Sequence, residues 1–156
     1  MKTAAVYYSY TGKTKMYLEC MREYIDLKLI EIKPKDDIKV KGFKSYVLGG
    51  YRSLKKETPD LIPYDFKIDS YDLIIFASPV WAFSFAPAMR SFFLKETIRN
   101  KKVSYFFTHQ GGAGKTEERF KEILKGNEII DGLDINVNKN KSENLIKIKE
   151  WLKTFS

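Results

Sequence analysis

The sequence predicts a doubly wound α/β sheet, and two observations predict it. Short runs of β-branched and aromatic residues alternate along the chain with segments of helical periodicity. The most apolar run, Tyr71–Ala77, lacks the polar alternation of a half-solvated strand and suits one buried on both faces. Strands alternating with helices pair in parallel through right-handed crossovers, so a five-stranded parallel sheet covered by helices on each face is expected. The 156 residues show no composition break, and one domain over residues 1–156 is expected.

The elements follow in order. Thr3–Tyr8 reads as a buried first strand, stopped by the polar Ser9–Gly12. From Lys13 to Tyr24, Tyr17, Cys20, Met21 and Tyr24 recur at helical spacing on one face. Lys28–Ile32 is a short second strand closed by Pro34. Phe43, Tyr46, Val47 and Leu54 give a further helical pattern, interrupted by Gly49-Gly50, with Pro59 and Pro63 marking a loop beyond it. Its default reading is a connector on the sheet. Its functional reading is a flap or partner surface with Tyr51 and Arg52 at the mouth of a site. Tyr71–Ala77 is the third strand, with Pro79 expected to stop it. A helix starts at Pro87, where proline suits the first turn, and runs to Lys95. Val103–Thr108 is the fourth strand, Lys115–Leu124 a helix, and a fifth strand falls within Ile129–Val137. Leu145, Ile148, Leu152 and Phe155 stripe a last helix over Lys141–Phe155, where Trp151 reads as packing.

Composition excludes several classes. With 44% hydrophobic and 31% charged residues the chain is globular and not disordered. No apolar stretch is long enough for a membrane span, and the single Cys20 excludes a disulfide within the chain. The cytoplasm is the expected compartment, with neither membrane nor nucleic acid as partner. The formal charge of +8 is spread over lysines mixed with acids, as in Lys33–Lys41 and Lys139–Glu150, which is the pattern of a solvated face. The same lysines can form a basic rim that steers anionic ligands.

Ligands of a doubly wound sheet bind beyond the carboxyl ends of its strands, at the switch in strand order. Three unusual loops converge there. Ser9-Tyr10-Thr11-Gly12-Lys13-Thr14 carries hydroxyls at positions 9, 11 and 14 directly before a helix. The N–H groups and dipole of a helix start favour an anion, and a phosphate monoester fits. Ser78-Pro79-Val80-Trp81-Ala82 leaves the third strand with an aromatic residue between prolines. Thr108-His109-Gln110-Gly111-Gly112-Ala113-Gly114 leaves the fourth, and contains the only histidine.

S-x-T-G-x-T at Ser9–Thr14 resembles the flavodoxin phosphate loop in letters and in position. Ser78–Trp81 resembles the family loop whose aromatic residue stacks on the flavin ring. Thr108–Gly114 resembles the other flavin-flanking loop, whose backbone N–H groups meet the pyrimidine edge. The likeness covers essentially the whole chain and implies a flavodoxin-like sheet of order 2-1-3-4-5, of the short-chain kind. It implies FMN as cofactor, with Ser9, Tyr10, Thr11, Gly12, Lys13, Thr14, Ser78, Pro79, Val80, Trp81, Ala82, Thr108, His109, Gln110, Gly111, Gly112 and Gly114 around it. Lys13 and Lys115 are candidates for holding negative charge nearby, and His109 or Gln110 for bonding ring oxygens or a substrate.

Gly12-Lys13-Thr14 and Gly114-Lys115-Thr116 each spell the end of a nucleotide P-loop, but Tyr7 and His109 stand where its first glycine belongs. No Cys/His cluster suits a metal, and one histidine makes no hydrolase triad. Two redox classes follow from the resemblance: an FMN oxidoreductase passing hydride from NAD(P)H to a small acceptor such as a quinone, and a one-electron carrier serving a redox partner protein. Carriers in this family resemble one another in an acidic surface, whereas this chain is basic. They also use a glycine after the third strand, where a carbonyl must turn. Residues Ser78–Pro87 contain none, so a stiff loop and two-electron chemistry are expected. A third class is a scaffold that has lost its cofactor and binds a partner.

Overall fold

The computed structural model describes residues 1–37, 44, 47, 48, 51 and 55–155. Strands β1 (Thr3–Tyr7), β2 (Leu27–Glu31), β3 (Leu73–Trp81), β5 (Lys102–His109) and β6 (Glu128–Asn136) form a parallel sheet of order β2-β1-β3-β5-β6. This is the predicted order with one addition, a two-residue strand β4 (Ser84–Phe85) antiparallel to the end of β3. Helices α1 (Lys13–Met21), α2 (Pro87–Lys95), α3 (Thr116–Ile123) and α4 (Lys141–Leu152) connect and cover the strands. The expected pattern over Phe43, Tyr46 and Leu54, with Gly49-Gly50 and Arg52, lies outside the described residues. Within that stretch Lys44, Val47, Leu48 and Tyr51 are helical, and Val47 and Tyr51 are exposed.

Strand alternation divides the core between the two faces of the sheet. Ala4, Val6, Ile74, Phe76, Tyr105 and Phe107 point to one side, where Met89 and Phe92 of α2 and Phe120 of α3 cover them. Ala5, Tyr7, Ile75, Ala77 and Phe106 point to the other, beneath Tyr17, Leu18 and Met21 of α1 and Ile148, Trp151 and Leu152 of α4. Trp151 is buried in that cluster and packs edge-on against Phe155 at 4.6 Å, as a packing residue should. The first helix ends at Met21 and not at Tyr24. Tight turns from Arg22 to Glu19 and from Tyr24 to Met21 redirect the chain into β2, leaving Tyr24 exposed.

Pro79 does not stop the third strand. The carbonyl of Ala77 faces β1, accepting from the Tyr8 N–H at 3.1 Å, so Pro79, two residues on, faces the same side. The β1–β3 pairing has ended at Tyr7 and Ala77 by then, and the missing proline N–H costs the ladder nothing. On the other side β3 stays paired with β5 as far as Pro79 and Thr108.

The pairing of β5 with β6 slips by one residue between Val103 and Tyr105. The slip sets Gly132 against the Tyr105 ring, which occupies the space a Cβ would need. That ring also stacks on Phe120 at 5.3 Å and donates its hydroxyl to Glu117 at 3.1 Å, so it has little room to retreat. Burial, reinforced by Glu117, raises the pKa of this phenol, which keeps it a donor. Gly132→Ala is therefore expected to lower the unfolding free energy by about 1–3 kcal/mol, the usual cost of overpacking. A chemical denaturation midpoint that does not move would contradict this account of the bulge.

Candidate functional site

Beyond the ends of β1, β3 and β5 lies a cavity of about 280 Å³, at the place a doubly wound sheet provides. Tyr10, Thr11 and Lys13 line it from the first loop, Pro79–Ala82 from the second, and Thr108–Gly112 from the third. All three loops singled out in the sequence meet there.

The first loop ends in Gly12, whose φ of 87° makes it the N-cap of α1 in a conformation glycine adopts freely. Gly12 offers no side-chain cap and no acid sits in the first turn, so the N-terminal dipole meets no negative charge there. Thr11 and Lys13 are exposed beside it. The other two hydroxyls are used inward. Ser9 Oγ accepts from the Lys15 N–H at 3.2 Å, bracing the loop. Buried Thr14 shares a 2.8 Å hydrogen bond with the equally buried Thr108, tying the first loop to the third strand end.

Trp81 is the last residue of β3 and lines the cavity. Its ring meets Tyr8 edge-on at 5.5 Å and Tyr10 at 5.7 Å, so Trp81 and Tyr10 form an aromatic wall on that side, backed by the buried Tyr8. Tyr8 is itself fixed by donating to Asp37 at 2.8 Å. Ser78 does not line the cavity. Its buried hydroxyl accepts from the Ala86 N–H at 2.8 Å and closes the base of the β3–β4 hairpin.

The loop expected to be stiff for lack of glycine forms a tight hairpin. Val80 pairs with Phe85 and Trp81 with Ser84, leaving Ala82 and Phe83 as a two-residue turn. Both have positive φ, 48° and 63°, which makes the turn type I′. The tip is held from outside by the Lys115 N–H, which donates to the Phe83 carbonyl at 3.2 Å. Phe83 lies so close to Gly114 that a Cβ there would collide with it. Gly114, outside the cavity lining, thus serves the docking of the hairpin.

In the third loop both ring nitrogens of His109 are taken up by the chain. Nδ1 accepts from the Gly111 N–H at 3.0 Å, which leaves the proton on Nε2 to donate to Asp134 at 2.8 Å. The Val137 N–H donates to the His109 carbonyl at 2.8 Å, and Asn138 Nδ2 donates to the Gln110 carbonyl at 2.6 Å. His109 is therefore a positioning residue that shapes the loop while lining the cavity. Val137, Asp134 and Asn138 were not legible as site residues. The signal available was only that the last strand ends beside the fourth.

The same fold recurs in known structures. A flavoprotein from Lactobacillus acidophilus, solved in complex with FMN, is 27% identical, with 85% of this chain and 92% of that one covered at a TM-score of 0.73. The chain has the flavodoxin-like fold. A WrbA-like flavodoxin from Agrobacterium tumefaciens (14% identical, 96% of this chain and 90% of that one, TM-score 0.61) shares the fold. So does the flavodoxin of Megasphaera elsdenii (18% identical, 94% and 96%, TM-score 0.57). No family model matches the sequence, and a search of curated proteins finds no match. Among the described residues of this flavodoxin-like chain, no helix is long and apolar enough to cross a membrane, and no group of side chains could hold a metal ion.

A left-handed alanine costs roughly 1–2 kcal/mol. Ala82→Gly removes that strain and gives part of it back by loosening the unfolded chain. The flavodoxin-like fold is expected to gain about 0.5–1 kcal/mol, read as a higher urea midpoint at unchanged slope. An unchanged or lower midpoint would mean that the turn is not strained.

Proposed function

We propose that the chain binds FMN in this cavity and works as an oxidoreductase, passing hydride from a nicotinamide donor to a small acceptor such as a quinone. The observation that carries it is the junction of a helix start with no acid in its first turn and an aromatic wall in one cavity. The phosphate would take the N-terminus of α1, with Thr11 and Lys13 beside it. The ring would lie along Trp81, opposite the backbone of Gly111 and Gly112. The flavin supplies reversible acceptance of two electrons. The chain's part is to bind, orient and partly desolvate it. The likeness to an FMN-bound flavoprotein supports this reading.

The hairpin supports two-electron chemistry over a one-electron carrier. Turning the central peptide of its type I′ turn would send Ala82 toward φ about +60° and ψ about −120°, a region that side chains avoid.

Pure protein is expected to be yellow and to release FMN, not FAD, on denaturation. Thr11→Ala should weaken FMN by ten- to a hundredfold, since a hydrogen bond to a charged group contributes roughly 1.5–3 kcal/mol. Riboflavin, lacking the phosphate, should hardly notice. Thr14→Ala should instead lower stability and affect both flavins alike, because its hydroxyl bonds to Thr108. Equal losses for the two flavins in the Thr11 variant, or no flavin uptake by wild type, would defeat the cofactor assignment.

A further inference from the structure

On the outer side of the hairpin, sharing Ala82 as a wall with the first cavity, lies a second hollow of about 510 Å³. Four cations line it: Lys56, Arg90 of α2, Lys115, and Arg119 of α3. Glu122 is the one acid among the described residues of the lining, paired with Arg119 at 3.6 Å across an exposed gap that contributes little. Lys56 and Lys115 have no ion-pair partner among the described residues. Arg90 donates only to the Glu57 carbonyl, at 3.1 Å, and lies 6.0 Å over the Phe85 ring. Burial lowers the Arg90 guanidinium from its ordinary range, and the nearby Arg119 charge lowers it further. Between them and solvent stand Phe83, 67% exposed on a strained backbone, and Ile123, 43% exposed. Strain held beside a cavity points to function, and an exposed ring next to clustered guanidinium and ammonium groups matches an aromatic base carrying phosphates.

We propose that this hollow is a nucleoside-diphosphate subsite, with the phosphates on Arg90, Lys115 and Arg119 and the base against Phe83 and Ile123. Resting on the function proposed above, its ligand is the ADP half of the nicotinamide donor, whose other half reaches the flavin over the Ala82 wall. Because the site stands on charge, its affinity falls as salt rises.

The test is calorimetric titration of ADP into FMN-loaded protein at low salt, so that the phosphate loop is already occupied. Saturable binding is expected. Arg119→Glu should weaken it at least tenfold, Arg119→Lys should restore most of it, and Phe83→Ala should weaken it with the flavin spectrum unchanged. The Michaelis constant for the dinucleotide should rise with the ADP dissociation constant, while turnover at saturation holds. No ADP binding by wild type, or binding indifferent to Arg119→Glu, overturns the subsite. ADP binding that follows the charge in a protein that oxidises no dinucleotide upholds the subsite and overturns the donor assignment alone.

Discussion

β1 and β3 lie side by side, and the chain leaves them in opposite directions: from β1 toward β2, and from β3 toward β5. Everything at the carboxyl end of the sheet follows from that divergence. Because β1 stops at Tyr7, β3 projects beyond its neighbour, and a proline can continue the strand there. The projecting end carries Trp81 into the crevice instead of into the core. The same departure turns the chain at Gly12 so that the start of α1 faces the gap. Cavity, aromatic wall and helix start are thus products of one topological event, not separate acquisitions.

The rigidity that such a site needs comes from hydrogen bonds that the chain makes to itself. The Thr14–Thr108 bond crosses from the first loop to the end of β5, and both hydroxyls are buried, so each would be costly to leave unpaired. His109 joins Gly111 of its own loop to Asp134 of β6, and Ser78 closes the hairpin through Ala86. Polar residues that looked like ligand-binding groups therefore divide into two sets. Thr11, Lys13 and Trp81 face the cavity, while Ser9, Thr14 and Ser78 hold in place the backbone that shapes it.

That division explains what was legible in the sequence and what was not. Strand and helix placement follow from period and composition, since a buried parallel strand such as Leu73–Ala77 must be apolar on both faces, whereas the strand order comes from the family resemblance. The direction of a hydroxyl follows from packing partners far away in sequence, as with Thr14 and Thr108, and no local pattern encodes it. Pro79 misled for a related reason. Proline breaks a strand only where a neighbour needs its N–H, and whether a neighbour is present depends on where β1 ends. The β3–β4 hairpin was hidden by its chemistry, because Ala82-Phe83 carries none of the glycine or asparagine that ordinarily marks a type I′ turn.

A turn built from such residues must be held by something other than its own preferences. Three contacts do so: the Ser78 hydroxyl at the base, the Lys115 N–H on the Phe83 carbonyl, and the bare backbone of Gly114 beneath the Phe83 side chain. The last two come from the loop that follows β5, whose opposite end lines the first cavity. The hairpin is consequently a partition clamped between the aromatic crevice on one side and the cationic hollow on the other, with Ala82 facing both. A glycine in the turn would relax the strain but would also free the partition to move. With alanine and phenylalanine in the left-handed region, the wall keeps one shape, and two ligands on its two faces would be held at a fixed separation.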